Sequence, residues 1–132
     1  MKYSKILCEL LLAGYCIFIL CMTVWLRESN DYQIHRKIHW RHYRSITAVL
    51  SPDVINNILI FIPLGLLVGL LSPRYTLVKV IVVGFFVSET VECFQLIWNK
   101  GTFDVDDLLN NTVGAAIGGI IATVITWIRE KR

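Results

Sequence analysis

Charged side chains are missing from three long stretches of this sequence. Residues 10–26, 54–71 and 108–128 contain no Asp, Glu, Lys or Arg. Over the whole chain only 17% of residues are charged while 55% are hydrophobic, and the mean hydropathy is +0.60. A soluble domain needs polar groups spread over its surface, so this distribution excludes one and points to an integral membrane protein. Cysteine pairing is missing too. Cys8, Cys16, Cys21 and Cys93 all lie in apolar runs, and none forms a C-x-x-C pair. Their spacing suits neither a zinc site nor a secreted disulfide framework, so they read as small packing residues. The chain also lacks the ~10-residue alternating segments of a membrane β-barrel. It lacks any nucleic-acid motif, although its net charge is +3. The Lys and Arg residues flank the apolar runs, where anionic headgroups lie. The expected surroundings are therefore the lipid bilayer and not nucleic acid, and no cofactor or metal motif is present.

What is there is a set of four apolar blocks, each near the ~20 residues that cross a bilayer as a helix. They predict membrane helices over about 6–26, 54–71, 77–98 and 105–128. Helices satisfy their own backbone polar groups, which hydrocarbon demands. The short breaks "SPRYT" and "NKGTFD" bring successive helices side by side. The expected fold is an all-α, compact antiparallel bundle of four transmembrane helices forming a single domain over 1–132. The first block is longer than the ~7–15-residue core of a signal peptide and has no A-x-A site. "LAGYC" resembles a lipoprotein cleavage box, but Tyr15 interrupts it before Cys16. An uncleaved first helix is the expectation, with Glu9 near Lys2 or Lys5. Up-and-down threading leaves both termini on one side. Seven Lys and Arg residues fall on that side and six on the other, so the positive-inside rule barely decides the orientation. The choice made here is termini in the cytoplasm, in a multi-pass protein of the cell membrane.

The polar residues inside the apolar blocks carry the functional question. "FFVSETVECFQLIW" (Phe85 to Trp98) reads as membrane-spanning yet holds Glu89, Glu92 and Gln95. A charged group at a helix centre costs at least ~2.5–3.5 kcal/mol. With Trp98 as an interfacial marker and ~1.5 Å rise per residue, Glu92 sits about 9 Å and Glu89 about 13 Å below it. Ser88, Glu92 and Gln95 share one helix face. Up-and-down threading puts the end of the third helix beside the start of the second, with Asp53, Asn56 and Asn57. It also brings the start of the fourth, with Asp104, Asp106, Asp107 and Asn110. The 27–52 connection lies on the same side, so these groups can form one interfacial site.

Structural duties compete with that reading. Buried amides can act as glue between membrane helices, for about 0.6–2 kcal/mol. Asp104 can cap the fourth helix, with Asp107 favoured in its first turn by the macrodipole. Capping does not require three aspartates, and glue does not require a carboxylate. Gly114 and Gly118 form a GxxxG, a close-packing face that can serve within a bundle or between copies as a homo-oligomer contact. Pro63 removes a mid-helix hydrogen bond. In "HRKIHWRHYR", His35, His39 and His42 are spaced to align on a helix, but Arg36, Lys37, Arg41 and Arg44 disfavour a cation there. A surface helix touching phosphate-bearing headgroups is the better reading.

Three blocks in order carry a resemblance to a known family: "NILIFIPLG" (Asn57 to Gly65), "SETVECFQ" (Ser88 to Gln95) and "KGTFDVDDLLNNTVGAAIG" (Lys100 to Gly118). Over roughly 53–120 the chain resembles the VanZ-like family of small bacterial membrane proteins. The positions matching its motifs are Asn57, Phe61, Pro63, Gly65, Ser88, Glu92, Gln95, Asp104, Asp107, Asn110 and Gly114. The family's usual arginine ahead of F-D is Lys100 here, which keeps the charge but loses bidentate pairing. Glu89 lies outside the motif, as do the first helix and the 27–52 connection. The resemblance implies a cell-envelope protein associated with low-level resistance to teicoplanin, a glycopeptide. It does not supply a reaction.

Three function classes follow. The first is a non-catalytic protein that binds a lipid-linked cell-wall precursor, a lipid or an envelope partner. Its binding residues would be Asn57, Ser88, Glu89, Glu92, Gln95, Lys100, Asp104, Asp107 and Asn110. The second is an enzyme on a lipid-linked or lipid substrate, with Glu92 as acid or base and Asp104 or Asp107 orienting substrate or holding Mg²⁺. Ser88 has no histidine near it in sequence, so no nucleophile is evident. The third is a small proton-coupled transporter using Glu89 and Glu92.

Overall fold

In hydrocarbon an apolar run must satisfy its backbone internally, and each of the four runs does so as a helix. The computed structural model describes residues 2–25, 38–39, 51–72, 76–98, 100 and 103–131. Helix α1 covers Lys2–Leu20 and continues into a wider π-helical turn, Cys21–Trp25. Helices α2 (Pro52–Leu71), α3 (Thr76–Ile97) and α4 (Val105–Glu130) follow. All four contain a segment long and apolar enough to cross a membrane. α1 begins four residues before the boundary at residue 6 expected from hydropathy, and Lys5 and Glu9 pair along its exposed first turns at 3.8 Å. Pro52 starts α2 at the position where a missing N–H costs nothing.

Two short strands were not anticipated. β1 (Ile38–His39) pairs in parallel with β2 (Phe103–Asp104), Ile38 opposite Phe103 and His39 opposite Asp104. Segments of two residues carry no periodicity that sequence could show. The pairing places part of the 27–52 connection beside the start of α4, the side expected for it. The rest of that connection lies outside the described residues, including His35, His42 and the basic residues around them, and so do the side chain of His39 and the 73–75 turn.

The bundle is held by backbone proximity. A Cβ on Gly114 would overlap the Ile58 carbonyl, one on Gly118 the Ile62 carbonyl, and one on Gly65 the Ala115 carbonyl. Positions 58 and 62 of α2 advance with 114 and 118 of α4, so these alternate helices run parallel, as up-and-down threading requires. The GxxxG of α4 thus packs on α2 within one chain. The neighbouring face of α4 packs on α3 in antiparallel steps of four. Val80 lies against Gly119, Gly84 against Ala115 and Ser88 against Asn111. One further step brings Glu92 to the level of Asp107. α1 is peripheral: 6% of its span is buried, against 33% for α2 and α3 and 39% for α4. Tyr15 fastens it, its hydroxyl donating to the Ile60 carbonyl at 2.8 Å, in the turn that Pro63 loosens by lacking an N–H.

Polarity is inverted relative to a soluble protein. Leu10, Ile17, Leu59, Val78, Phe86, Ile120 and Val124 are exposed, while Ser88, Glu92, Gln95, Asp104, Asp106 and Asn111 are buried. Phe61, Ile19, Leu64, Val80 and Val91 fill the apolar part of the interior. Hydrocarbon outside makes this the stable arrangement, since apolar side chains gain little by leaving lipid.

Candidate functional site

The i, i+4, i+7 spacing of Ser88, Glu92 and Gln95 puts all three on the inward face of α3. Glu92 is 1% exposed. Its Oε2 accepts the backbone N–H of Asp104 at 2.9 Å. The side chain of Asp104 in turn caps α4, its Oδ1 accepting the N–H of Asp106 at 2.9 Å. Capping therefore accounts for Asp104, and the acids at 106 and 107 occupy the first turn, where the helix dipole favours them. Asp106 is buried and Asp107 partly so.

One turn deeper, Asn111 Nδ2 donates to Ser88 Oγ at 2.9 Å, and both side chains are buried. Asn110, the asparagine expected in the site, is only partly buried. The position that reaches α3 is its neighbour, because the step of four from Asp107 lands on Asn111. The Oδ1 of Asn111 is buried with no hydrogen-bond partner among the described residues. An orphaned amide oxygen costs roughly 1–3 kcal/mol, and it lies on the side chain that donates to the Ser88 hydroxyl.

Gln95 works differently from expectation. Its Nε2 donates to the Thr23 carbonyl at 3.3 Å. Thr23 lies in the last turn of the first helix, whose carbonyls have no intrahelical partners. Gln95 thereby ties α1 to α3 as well as facing the cluster. Its own carbonyl accepts the Lys100 N–H at 2.8 Å, which sets Lys100 just beyond the end of α3. Asn57 is partly buried next to Ile58, at the level of Gly114, and Glu89 is partly buried next to Ser88. The structure thus brings Ser88, Glu92, Gln95, Asp104, Asp106 and Asn111 into the interior from three segments. Asp106 and Asn111 are the members that motif matching passed over. The signal for Asn111 was the four-residue spacing 107–111–115–119 on α4 that mirrors 80–84–88–92 on α3, whereas Asp106 opens the adjoining stripe 106–110–114–118.

Among the described residues, no three His, Cys, Asp or Glu side chains converge closely enough to hold a metal ion. The four cysteines are free thiols: Cys8 and Cys16 are partly buried, Cys21 and Cys93 exposed.

Comparison with known proteins agrees with this arrangement. A family model described as VanZ/LLP1 matches residues 9–126, which extends the likeness back over the first helix and the 27–52 connection. The chain is also 30% identical over 129 residues to Protein VanZ of Enterococcus faecium, covering 87% of this chain and 73% of that protein. No solved structure matches this chain. A match over nearly the whole length, on a bundle of four helices able to cross a membrane with the motif residues gathered inside it, shows that the chain belongs to the VanZ-like family.

Proposed function

We propose that this protein acts in the bacterial cytoplasmic membrane, with both termini in the cytoplasm. There it alters the access of teicoplanin-type glycopeptides to the cell envelope. It does so without catalysis, by binding a lipid-linked cell-wall precursor, a lipid or an envelope partner at the polar cluster. The observation that carries this reading is the joining of α3 to the start of α4 by Glu92 and Asp104, one turn from a buried Asn111 Oδ1 with no partner among the described residues. Such a cluster is expensive in a membrane and marks a functional site by default.

Binding is favoured over acid–base catalysis because Glu92 is enclosed and one of its oxygens already holds a backbone N–H. Ser88 is oriented by an amide and not by a base. The test is teicoplanin and vancomycin susceptibility in a deletion host carrying wild type, Glu92→Gln, Asp107→Asn or empty vector at matched membrane abundance. The reading expects a teicoplanin-selective shift with wild type. It expects Glu92→Gln to retain part of the shift, since an amide still accepts a hydrogen bond. Complete loss in Glu92→Gln, with abundance unchanged, favours the enzyme on a lipid-linked substrate. No shift with any protein overturns the glycopeptide role.

A further inference from the structure

The ends of α1 and α3 enclose a groove outside the polar cluster. Leu20, Cys21, Val24, Trp25, Phe94 and Trp98 are among its lining residues, and its volume is about 210 Å³. A second hollow of about 280 Å³ continues it, sharing Val24, Trp25 and Trp98 and adding Lys100. The lining therefore runs from purely apolar to cationic.

Three features make this a built groove. The π-helical turn at Cys21–Trp25 widens the end of the first helix where the groove lies, and such turns often occur at functional sites. The bond from Gln95 to the Thr23 carbonyl ties the two walls together. Phe94 and Trp98 form one wall as a ring pair with centroids 4.8 Å apart. Both flanking helices are long and apolar enough to cross a membrane, and Trp25 and Trp98 are exposed. Its apolar walls suit hydrocarbon, and Trp at its polar end suits the interface depth.

We infer that this groove holds one hydrocarbon chain of a phosphate-bearing membrane lipid, with the lipid phosphate at Lys100. The chain matches the apolar lining, and the phosphate matches Lys100, the cationic side chain among the described lining residues, just beyond the end of α3. Gln95 joins this groove to the polar cluster, since it ties the groove's two walls together while lying on the helix face of Ser88 and Glu92. This inference deepens the proposed function by naming the ligand class and its entry side. It rests on that reading only for the headgroup's purpose.

The test uses the full-length protein reconstituted in vesicles of digalactosyldiacylglycerol, a bilayer lipid without phosphate, with a small fraction of a photoreactive probe. One probe is a phosphatidylglycerol with a diazirine in its chain, and the other is the matched diacylglycerol without phosphate. Labelled peptides are located by mass spectrometry. Labelling by the phospholipid is expected to concentrate on 17–25 and 94–98 over the exposed face of α4 around Val124. It should exceed labelling by the neutral probe about fivefold, the ratio given by ~1 kcal/mol for a basic residue beside an anionic headgroup. Cys21→Trp, which fills the groove, should remove the excess, whereas Val124→Trp should not. Labelling no greater in the groove than around Val124, or equal labelling by both probes, overturns the inference. Neither outcome depends on antibiotic susceptibility, so a failed lipid site and a failed glycopeptide role are told apart.

Discussion

Glu92 Oε2 and the backbone N–H of Asp104 meet at 2.9 Å inside the bundle, across 12 residues of chain. A side chain here satisfies a backbone donor of the α3–α4 connection, and the Asp104 carboxylate then satisfies a donor of α4 itself. The relay gives the Glu92 side chain a structural duty as an acceptor, one that does not by itself require an acid. It fixes where α4 starts, and with it the level at which Asn111 meets Ser88.

Removing that acceptor should loosen the connection. Glu92→Ala strands a buried N–H and is expected to lower stability by roughly 1–3 kcal/mol. Glu92→Gln keeps an acceptor and should cost less. Thermal unfolding of both variants in the same detergent checks this, and equal stability of Ala and Gln would contradict it.

The glycines of α2 and α4 should divide sharply from the glycine of α1. Gly114→Leu and Gly118→Leu force side chains into the α2 backbone, whereas Gly14 has nothing within 4 Å of an added Cβ. The first two are expected to lose ~1–3 kcal/mol or more through overpacking, and Gly14→Leu to stay near wild type. Folded yield and melting temperature in detergent give the readout.

Ser88 and Asn111 should couple energetically. In a double-mutant cycle of Ser88→Ala and Asn111→Ala, a coupling of about 0.6 kcal/mol, up to ~1.7, is expected for a hydrogen bond between membrane helices. A coupling of zero would mean that the 2.9 Å contact contributes no net stability.

Orientation is open to cysteine labelling. In a background lacking the four native cysteines, Lys131→Cys should resist a membrane-impermeant maleimide in intact cells, while Lys100→Cys should react. The reverse pattern would place the termini outside.

Much of the helical framework was legible because each apolar run is long and bounded by charge. Asp53, Lys100 and Arg129 mark ends that the structure keeps within a few residues. The stripe Ser88–Glu92–Gln95 was also legible, since helical spacing alone puts these residues on one face. Asn111 was harder. It stands beside Asn110, which shares the stripe of Gly114 and Gly118 toward α2, and only the register with α3 shows that Asn111 is the one bonded to Ser88. The β1–β2 pair is too short to leave any pattern. The partner of Gln95 is a carbonyl, and a carbonyl has no sequence identity to read.

The sequence by itself determined that four helices form and that each carries its polar groups at a definite height, because hydrocarbon tolerates no unsatisfied backbone and helical rise is constant. It also determined that α4 has a close-packing face at Gly114 and Gly118. That this face takes α2 followed only from assembly, which leaves Asn111 and Gly119 to α3 and puts Ala115 between Gly65 of α2 and Gly84 of α3. The reason is steric. Close backbone approach needs a position without a side chain on at least one helix at each contact, and the pair supplies it with Gly114 at Ile58, Gly118 at Ile62 and Gly65 at Ala115. Once α2 and α4 are seated, the remaining face of α4 brings Asn111 to Ser88, and Glu92 lies within reach of the Asp104 N–H.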